Sequence, residues 1–214
     1  MSRSRREAAL FDLQRRMDGC RFCVQAGHAI FPRAIYSGGV KAKVMIIGQA
    51  PGITEREAGR PFNAGSGTRL FQWLAAAGFD EAHFRATQYM TAVTKCYPGK
   101  SKGGGDRVPS RAEQALCRPY LDLEIDLVDP KLIIPVGRLA IELFFGAAPL
   151  TEVIGGEVLI PTSWPAESGR IDGRWVVPLP HPSGASRWHQ LPENRKRIDR
   201  AIRRIKARRL ELRL

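Results

Sequence analysis

The chain has 214 residues, 43% of them hydrophobic, which is enough for one compact domain with a sizeable core and too few for two large ones. Its 34 lysines and arginines outnumber 21 aspartates and glutamates, and a net charge of +13 makes a polyanion the expected partner, because basic groups that meet phosphates release counterions. The opening Met-Ser-Arg-Ser-Arg-Arg-Glu has no apolar leader, and no stretch approaches the roughly 18 apolar residues of a membrane span, so a soluble, cytoplasmic protein with no membrane partner is expected.

Along the chain, short apolar runs alternate with helical patterns, which predicts an α/β sandwich. Val44–Ile47 is the first predicted buried strand. Thr68–Ala77 has helical spacing and is stopped by Gly78. Pro98–Pro109, rich in glycine and lysine, is expected to be a mobile basic loop. Ser110–Asp129 opens with Ser-Arg-Ala-Glu, a capping-box pattern, and predicts a second helix. Leu132–Val136 predicts a strand, Gly137–Phe145 a helix and Trp175–Leu179 a third strand. From about 192 to 214 a basic helix is expected, with Ile198, Ile202, Ile205 and Leu212 on one stripe, and a solvated surface helix is favoured over a nucleic-acid arm. Basic residues elsewhere, among them Lys41, Lys43, Lys95 and Arg111, keep the polyanion reading alive without that tail. Residues 1–214 are taken as a single domain.

Four cysteines stand at Cys20, Cys23, Cys96 and Cys117. One CxxC plus two isolated thiols fits neither a disulfide ladder nor a paired zinc ribbon, and in a reducing compartment it points to one metal site or cluster. In an open α/β sheet, ligands bind beyond the carboxyl ends of the strands. The segments there are Gly48–Gly67, glycine-rich with Gln49, Glu55, Phe62 and Asn63, and Pro180–Trp188, where His181 lies between two prolines. The first is a poor fit to a phosphate loop, since GxxxxGK[ST] and a helix-opening GxGxxG are both lacking.

The run GQAPGITEREAGRPFNAGSG from Gly48, the segment TAVTKC ending at Cys96, CRPYL from Cys117 and HPSG from His181 occur in an order that resembles the iron–sulfur uracil-DNA glycosylases, the fourth and fifth families of that superfamily. The resemblance implies a three-layer α/β/α sandwich with a central, mostly parallel four-stranded sheet. It implies a [4Fe–4S] cluster held by Cys20, Cys23, Cys96 and Cys117, bracing a DNA-binding loop rather than doing redox chemistry. The implied activity is excision of uracil, or of another deaminated base, from DNA by a monomeric enzyme that extrudes the nucleotide into a pocket. Phe62 is then the stacking platform, with Gly48, Ala50, Asn63 and Ala92 around the base. His181 donates to the anion that develops at uracil O2. Glu55, ahead of Gln49, positions the attacking water, while Lys100, Lys102, Arg107, Ser183 and Arg187 contact DNA.

Departures from the family pattern sharpen these expectations. Gln49 stands where Gly-Glu-Ala-Pro-Gly carries a carboxylate, and an amide is a much weaker base. Ala92 stands where the fourth family places a uracil-reading asparagine, which predicts a broader set of bases, with Asn63 as a compensating contact. No histidine lies between Cys96 and Cys117, so no covalent DNA adduct is expected. His28 and His83 are assigned no chemistry, and His189 is weighed as a phosphate contact. Trp188 or Arg187 is weighed as a wedge into the base stack, whereas Trp164 and Trp175 have no assigned role. The rival reading from another class is a non-catalytic zinc-stabilised nucleic-acid-binding module. A redox or radical iron–sulfur enzyme is disfavoured, since four protein thiols leave no open iron.

Overall fold

The computed structural model describes residues 2–161, 173–184, 186 and 188–214. The chain opens with helix α1 (Arg3–Asp18), capped by the Ser2 hydroxyl, and a short α2 (Phe22–Gln25). Strand β1 (Val44–Gly48) leads through α3 (Ile53–Ala58), α4 (Ala64–Ala76) and α5 (Glu81–Thr87) to β2 (Tyr89–Ala92). Next come α6 (Arg111–Val128), β3 (Leu132–Pro135), α7 (Arg138–Phe145) and α8 (Leu150–Val153). Strands β4 (Val158–Pro161) and β5 (Gly173–Val176) and helix α9 (Pro192–Glu211) complete the described elements.

The sheet has the order β2-β1-β3-β5-β4, parallel except for the antiparallel β4–β5 pair. Alternation along β1 builds the three layers. Val44 and Ile46 face Leu70, Phe71 and Leu74 of α4, Phe84 of α5, and Ala201 and Ile205 of α9. Met45 and Ile47 face Leu10, Leu13 and Met17 of α1, Tyr120 and Leu121 of α6, and Leu139 and Ala140 of α7. The expected sandwich is thus present, with five strands among the described residues rather than four. The additional strand, β4, pairs only with β5 and its residues are half-buried, so it lacks the continuous apolar run that marks a central strand.

The helix predicted from the capping box at Ser110 forms as expected. Ser110 accepts from the Glu113 N–H at 3.2 Å, Glu113 accepts from the Ser110 N–H at 2.7 Å, and Asp129 closes the helix in the left-handed region. In α9, Ile198 and Ile205 are buried and Ile202 and Leu212 pack beside them. Several of its arginines are engaged within the fold rather than presented to solvent. Arg204 and Arg208 reach Glu157 at 2.6 and 2.8 Å, Arg208 lies 3.5 Å over the Trp175 ring, and Arg209 donates to the Gly78 carbonyl at 2.9 Å. Arg208 first, and then Arg204, holds the Glu157 carboxyl below its ordinary range despite burial. Among the described residues, no helix is long and apolar enough to cross a membrane.

Candidate active site

The chain crosses from one side of β1 to the other between β2 and β3, and a cleft of about 410 Å³ opens at the carboxyl ends of these strands. Gly48, Gln49 and Ala50 line it from β1, Ala92 from β2, and Val136 from just beyond β3. Phe62 and Asn63 enter from the loop before α4, and His181 and Ser183 from the loop after β5. Segments far apart in sequence converge here because the parallel strands all end on one side.

Phe62 is held in an unusual conformation, at φ 50°, with little of its side chain exposed. Arg85 fixes it from behind, donating to the carbonyls of Pro61 at 2.9 Å and Phe62 at 2.8 Å while pairing with Glu81. Two glycines admit the loop. A β-carbon on Gly67 would lie 1.9 Å from the Phe62 carbonyl oxygen, and one on Gly48 would lie 3.0 Å from the tip of the Phe62 ring. The ring therefore lies across the end of β1, as a platform for a flat ligand requires.

Glu55 has a different position from the one expected. Its carboxylate accepts from the backbone N–H of Gly52 and, at 3.0 Å, from that of Phe62. Burial pushes its pKa up, and the two N–H groups oppose that shift. These two contacts make Glu55 a tie between α3 and the Phe62 loop on the wall of the cleft. Asn63 donates weakly to the Thr54 carbonyl at 3.4 Å and lines the same wall.

His181 is placed by the end of the sheet. Val136 and Leu179 extend the β3–β5 pairing beyond the named strands, and Arg69 of α4 grips the Pro182 carbonyl at 2.9 Å. Gly137, at φ 85°, leaves room for the ring, since a β-carbon there would lie 3.0 Å from its Cδ2. The Ser183 N–H points at His181 Nδ1 at 3.2 Å, and the Ser183 hydroxyl lies 2.9 Å from the same atom. A backbone N–H can only donate, so Nδ1 is the acceptor and the neutral ring carries its proton on Nε2. Burial, with a smaller contribution from His189, lowers the His181 pKa and keeps the ring neutral. Ser183 thus sets the tautomer of His181, a role distinct from the DNA contact expected of it.

The segment between Cys96 and Cys117 is more ordered than a mobile loop. Lys100 and Asp106 form an antiparallel bridge, Ser101 N–H donates to the Gly105 carbonyl at 2.7 Å, and Arg107 N–H to the Gly99 carbonyl at 2.9 Å. Arg107 makes a bidentate pair with Glu113 at 2.7 and 2.5 Å and also reaches the Ala29 carbonyl, so its guanidinium anchors the hairpin to α6 and is not free for phosphate. That pair holds the Glu113 carboxyl down at about 2. Lys100 and Lys102 remain exposed on the hairpin. Asp106, which the sequence did not single out, lines the cleft.

Behind the cleft, all four cysteines line one small pocket that is otherwise largely apolar, with Met17, Phe22, Ile30, Leu116 and Tyr120 around them. Burial is the first cause that pushes Cys23 and Cys117 up to about 11, and the thiols raise one another further. Only a positively charged group would let several of them ionise together, which suits a thiolate-ligated iron–sulfur body. The Lys95 N–H donates to Cys117 Sγ at 3.3 Å, the kind of contact that steadies a ligating sulfur. Among the described residues, no three His, Cys, Asp or Glu side chains converge as a ligand set for a single metal ion. Burial first raises the phenols of Tyr36, beside Asp18, of Tyr89, beside Glu124, and of Tyr120, beside Cys20.

A buried ion pair joins the two sites. Lys95 Nζ lies 2.5 Å from Glu124 and donates to the Ala92 carbonyl at 2.6 Å and to the Thr91 hydroxyl at 2.8 Å, while Tyr89 donates to Glu124 at 2.9 Å. His189, disfavoured as a phosphate contact, is buried against Trp73 with its pKa lowered, first by burial. Trp188 is half-buried and packs against the cluster of Ile141, Ile154 and Ile198. Arg187 and Trp164 lie outside the described residues. Sequence reasoning missed Arg85, Arg69 and the Lys95–Glu124 pair, whose partners are remote in sequence. Asp106 was the one with a local signal, an acid in a basic glycine run.

Residues 35–206 match the Uracil DNA glycosylase superfamily. The chain is 36% identical to the Type-4 uracil-DNA glycosylase of Pyrobaculum aerophilum over 64% of its own length and 63% of that protein. It is 29% identical to the Type-4 uracil-DNA glycosylase of Thermotoga maritima over 68% and 67%. Against the Type-5 uracil-DNA glycosylase of Pyrobaculum aerophilum it is 27% identical over 48% of each. The matched stretches span about half to two thirds of these relatives. The chain belongs to the Uracil DNA glycosylase superfamily.

Proposed function

We propose that this superfamily member removes uracil, and other deaminated bases, from DNA by hydrolysing the N-glycosidic bond and leaving an abasic site. The observation that carries the reading is a neutral His181, with Nε2 as its donor, in the same cleft as a Phe62 ring locked over the end of β1. An extruded base stacks on Phe62 and presents its O2 to His181. As the C1′–N1 bond breaks, negative charge moves onto the base, and a preorganised donor in a partly closed cleft stabilises it without a full proton transfer. Ala92, at the end of β2, offers only a methyl and backbone where an amide would read the base edge, which supports relaxed base choice.

Cys20, Cys23, Cys96 and Cys117 would hold a [4Fe–4S] cluster, which when bound supplies a structural cross-link rather than redox chemistry. Cys20 follows α1, Cys23 lies within α2, Cys96 follows β2 and Cys117 lies in the second turn of α6, so a group bound by all four would join four parts of the chain. Lys100 and Lys102, both exposed, contact the phosphate backbone. The enzyme acts as a monomer in the cytoplasm.

The test is single-turnover base release from matched duplexes carrying uracil, hypoxanthine, xanthine or thymine opposite guanine, with an alkaline step to reveal abasic sites. Release of uracil with at least one other base is the expected result, and His181→Ala slows it. Tight DNA binding with no release of any base refutes the glycosylase reading and favours a binding module. A brown protein with visible charge-transfer absorption supports the cluster, whereas a colourless one carrying a single zinc refutes it.

A further inference from the structure

We infer that Asp106 is the carboxylate that takes the proton from the attacking water, while Glu55 serves as the tie of the Phe62 loop. This rests on the glycosylase reading and adds to it the identity of the base. Water attack at C1′ needs an acceptor on the sugar side of the cleft, opposite the group that stabilises the departing base. The polar side chains suited to hold that water are Gln49, Glu55 and Asp106. Gln49 is an amide, able to orient water and unable to take its proton at neutral pH. Both Glu55 oxygens are occupied by backbone N–H groups. Asp106 forms no ion pair among the described residues, and its carboxylate is exposed to the cleft.

The geometry fixes Asp106 beside the β1 loop on the rim of the cleft. A β-carbon on Gly52 would lie 2.7 Å from Asp106 Oδ2 and 2.8 Å from Glu55 Oε2. The two carboxylates therefore flank one glycine at the mouth of the β1 loop, and only a residue without a side chain lets Asp106 approach that close. Its chain neighbours are both fixed, Gly105 through Ser101 and Arg107 through Gly99 and Glu113, so the carboxylate is presented by a braced hairpin. The buried Tyr97 hydroxyl has no partner in full hydrogen-bonding geometry and interacts with Asp106 as its principal polar neighbour.

In the step itself, the water oxygen forms a bond to C1′ as the C1′–N1 bond breaks and its electron pair passes to the base. The water proton moves to Asp106, and the base anion is held by the His181 Nε2–H. The proton on Asp106 then returns through solvent to the released base, so one water is consumed and the enzyme is unchanged.

The experiment measures single-turnover uracil release by the unmodified protein, Asp106→Asn, Asp106→Ala and His181→Ala, with binding of each to a duplex carrying a tetrahydrofuran abasic analogue. Loss of a general base predicts that Asp106→Asn is about 10²-fold slower or worse. Its affinity for the analogue stays within about threefold of the unmodified protein, and added formate partly restores Asp106→Ala. An Asp106→Asn rate close to that of the unmodified protein, with His181→Ala slow, overturns this inference and leaves the glycosylase reading standing. A fall in affinity as large as the fall in rate also overturns it, since Asp106 would then only shape the hairpin. No base release by the unmodified protein fails the glycosylase reading itself.

Discussion

Replacing Lys95 by methionine keeps the volume of its stem and removes its charge beneath the cleft. The pair it breaks is fully enclosed, with Lys95 and Glu124 at 2% and 0% side-chain exposure and 2.5 Å apart. The Glu124 carboxylate keeps the Tyr89 and Thr91 hydroxyls as donors, and the Ala92 carbonyl loses its bond to Nζ. Breaking a buried pair from one side costs about 3–5 kcal/mol, and the two remaining hydroxyl donors put the expectation near the lower end, about 3 kcal/mol. With a urea dependence of about 3 kcal/mol/M, the midpoint falls by about 1 M. Adding Glu124→Gln removes the stranded charge while leaving an acceptor for Tyr89 and Thr91. The double variant should therefore recover most of the loss, with a coupling of about 2–3 kcal/mol in the cycle. The assay is urea unfolding followed by tryptophan fluorescence for all four proteins in the same cofactor state, since a bound group adds stability by mass action. A Lys95→Met midpoint equal to that of the unmodified protein, or a double variant as unstable as the sum of the singles, would refute this account of the pair.

Gly67→Ala forces a β-carbon to within 1.9 Å of the Phe62 carbonyl, so the loop must move off Arg85; excision should fall by about 10-fold or more as the platform shifts, measured by single-turnover release. If the thiols hold the proposed cluster, Cys117→Ala should remove its visible charge-transfer absorption and bound iron, and limited proteolysis should then cut between Cys96 and Cys117 faster than in the unmodified protein. The His181 pKa is lowered from 6.5, so excision should stay flat as pH falls toward 6.5 and decline only below it, as Nδ1 protonates and displaces the Ser183 N–H. The same shift has a stability consequence of fixed sign: between the folded pKa and 6.5 the unfolded state binds more protons, so acid destabilises the fold there and stability rises with pH. Ala92→Asn should narrow the range of released bases toward uracil, read from the ratio of uracil to hypoxanthine release.

What was legible in the sequence was what local chemistry writes down. Ser110 and Glu113 marked the start of α6 because a capping box is made by residues three apart, and the run at Val44–Ile47 marked β1 because a central parallel strand is apolar on both faces. Strand β4 was invisible because it is a half-buried edge. Helix α1 was hidden by its arginines, although Leu10, Leu13 and Met17 carry a sparse helical stripe. In the site, the residues around Gln49, Phe62 and His181 were identifiable from motifs and do share one cleft. Their neighbours decided what each does, and those are set by the fold. Glu55 became a loop tie because the Phe62 N–H lies over it, and Arg107 became an anchor because Glu113 had a free carboxylate edge after capping α6.

The same reasoning explains why the thiol pocket and the cleft belong to one unit. From Ala92 to Cys117 the chain passes without a break through the cleft floor, the buried Lys95, the thiol of Cys96, the hairpin that presents Asp106, the Arg107–Glu113 anchor and the thiol of Cys117. Both ends of this segment are rigid, the first as the end of a sheet strand and the second as the first turns of α6. A group bound at Cys96 and Cys117 would shorten the free path of the hairpin and cut the entropy it must lose to hold Asp106 over Gly52. That contribution would be felt at the cleft without any electron passing between the two sites. It requires that loss of the bound group weaken the rate through the hairpin while leaving the Phe62 loop, held independently by Arg85 and Glu55, in place.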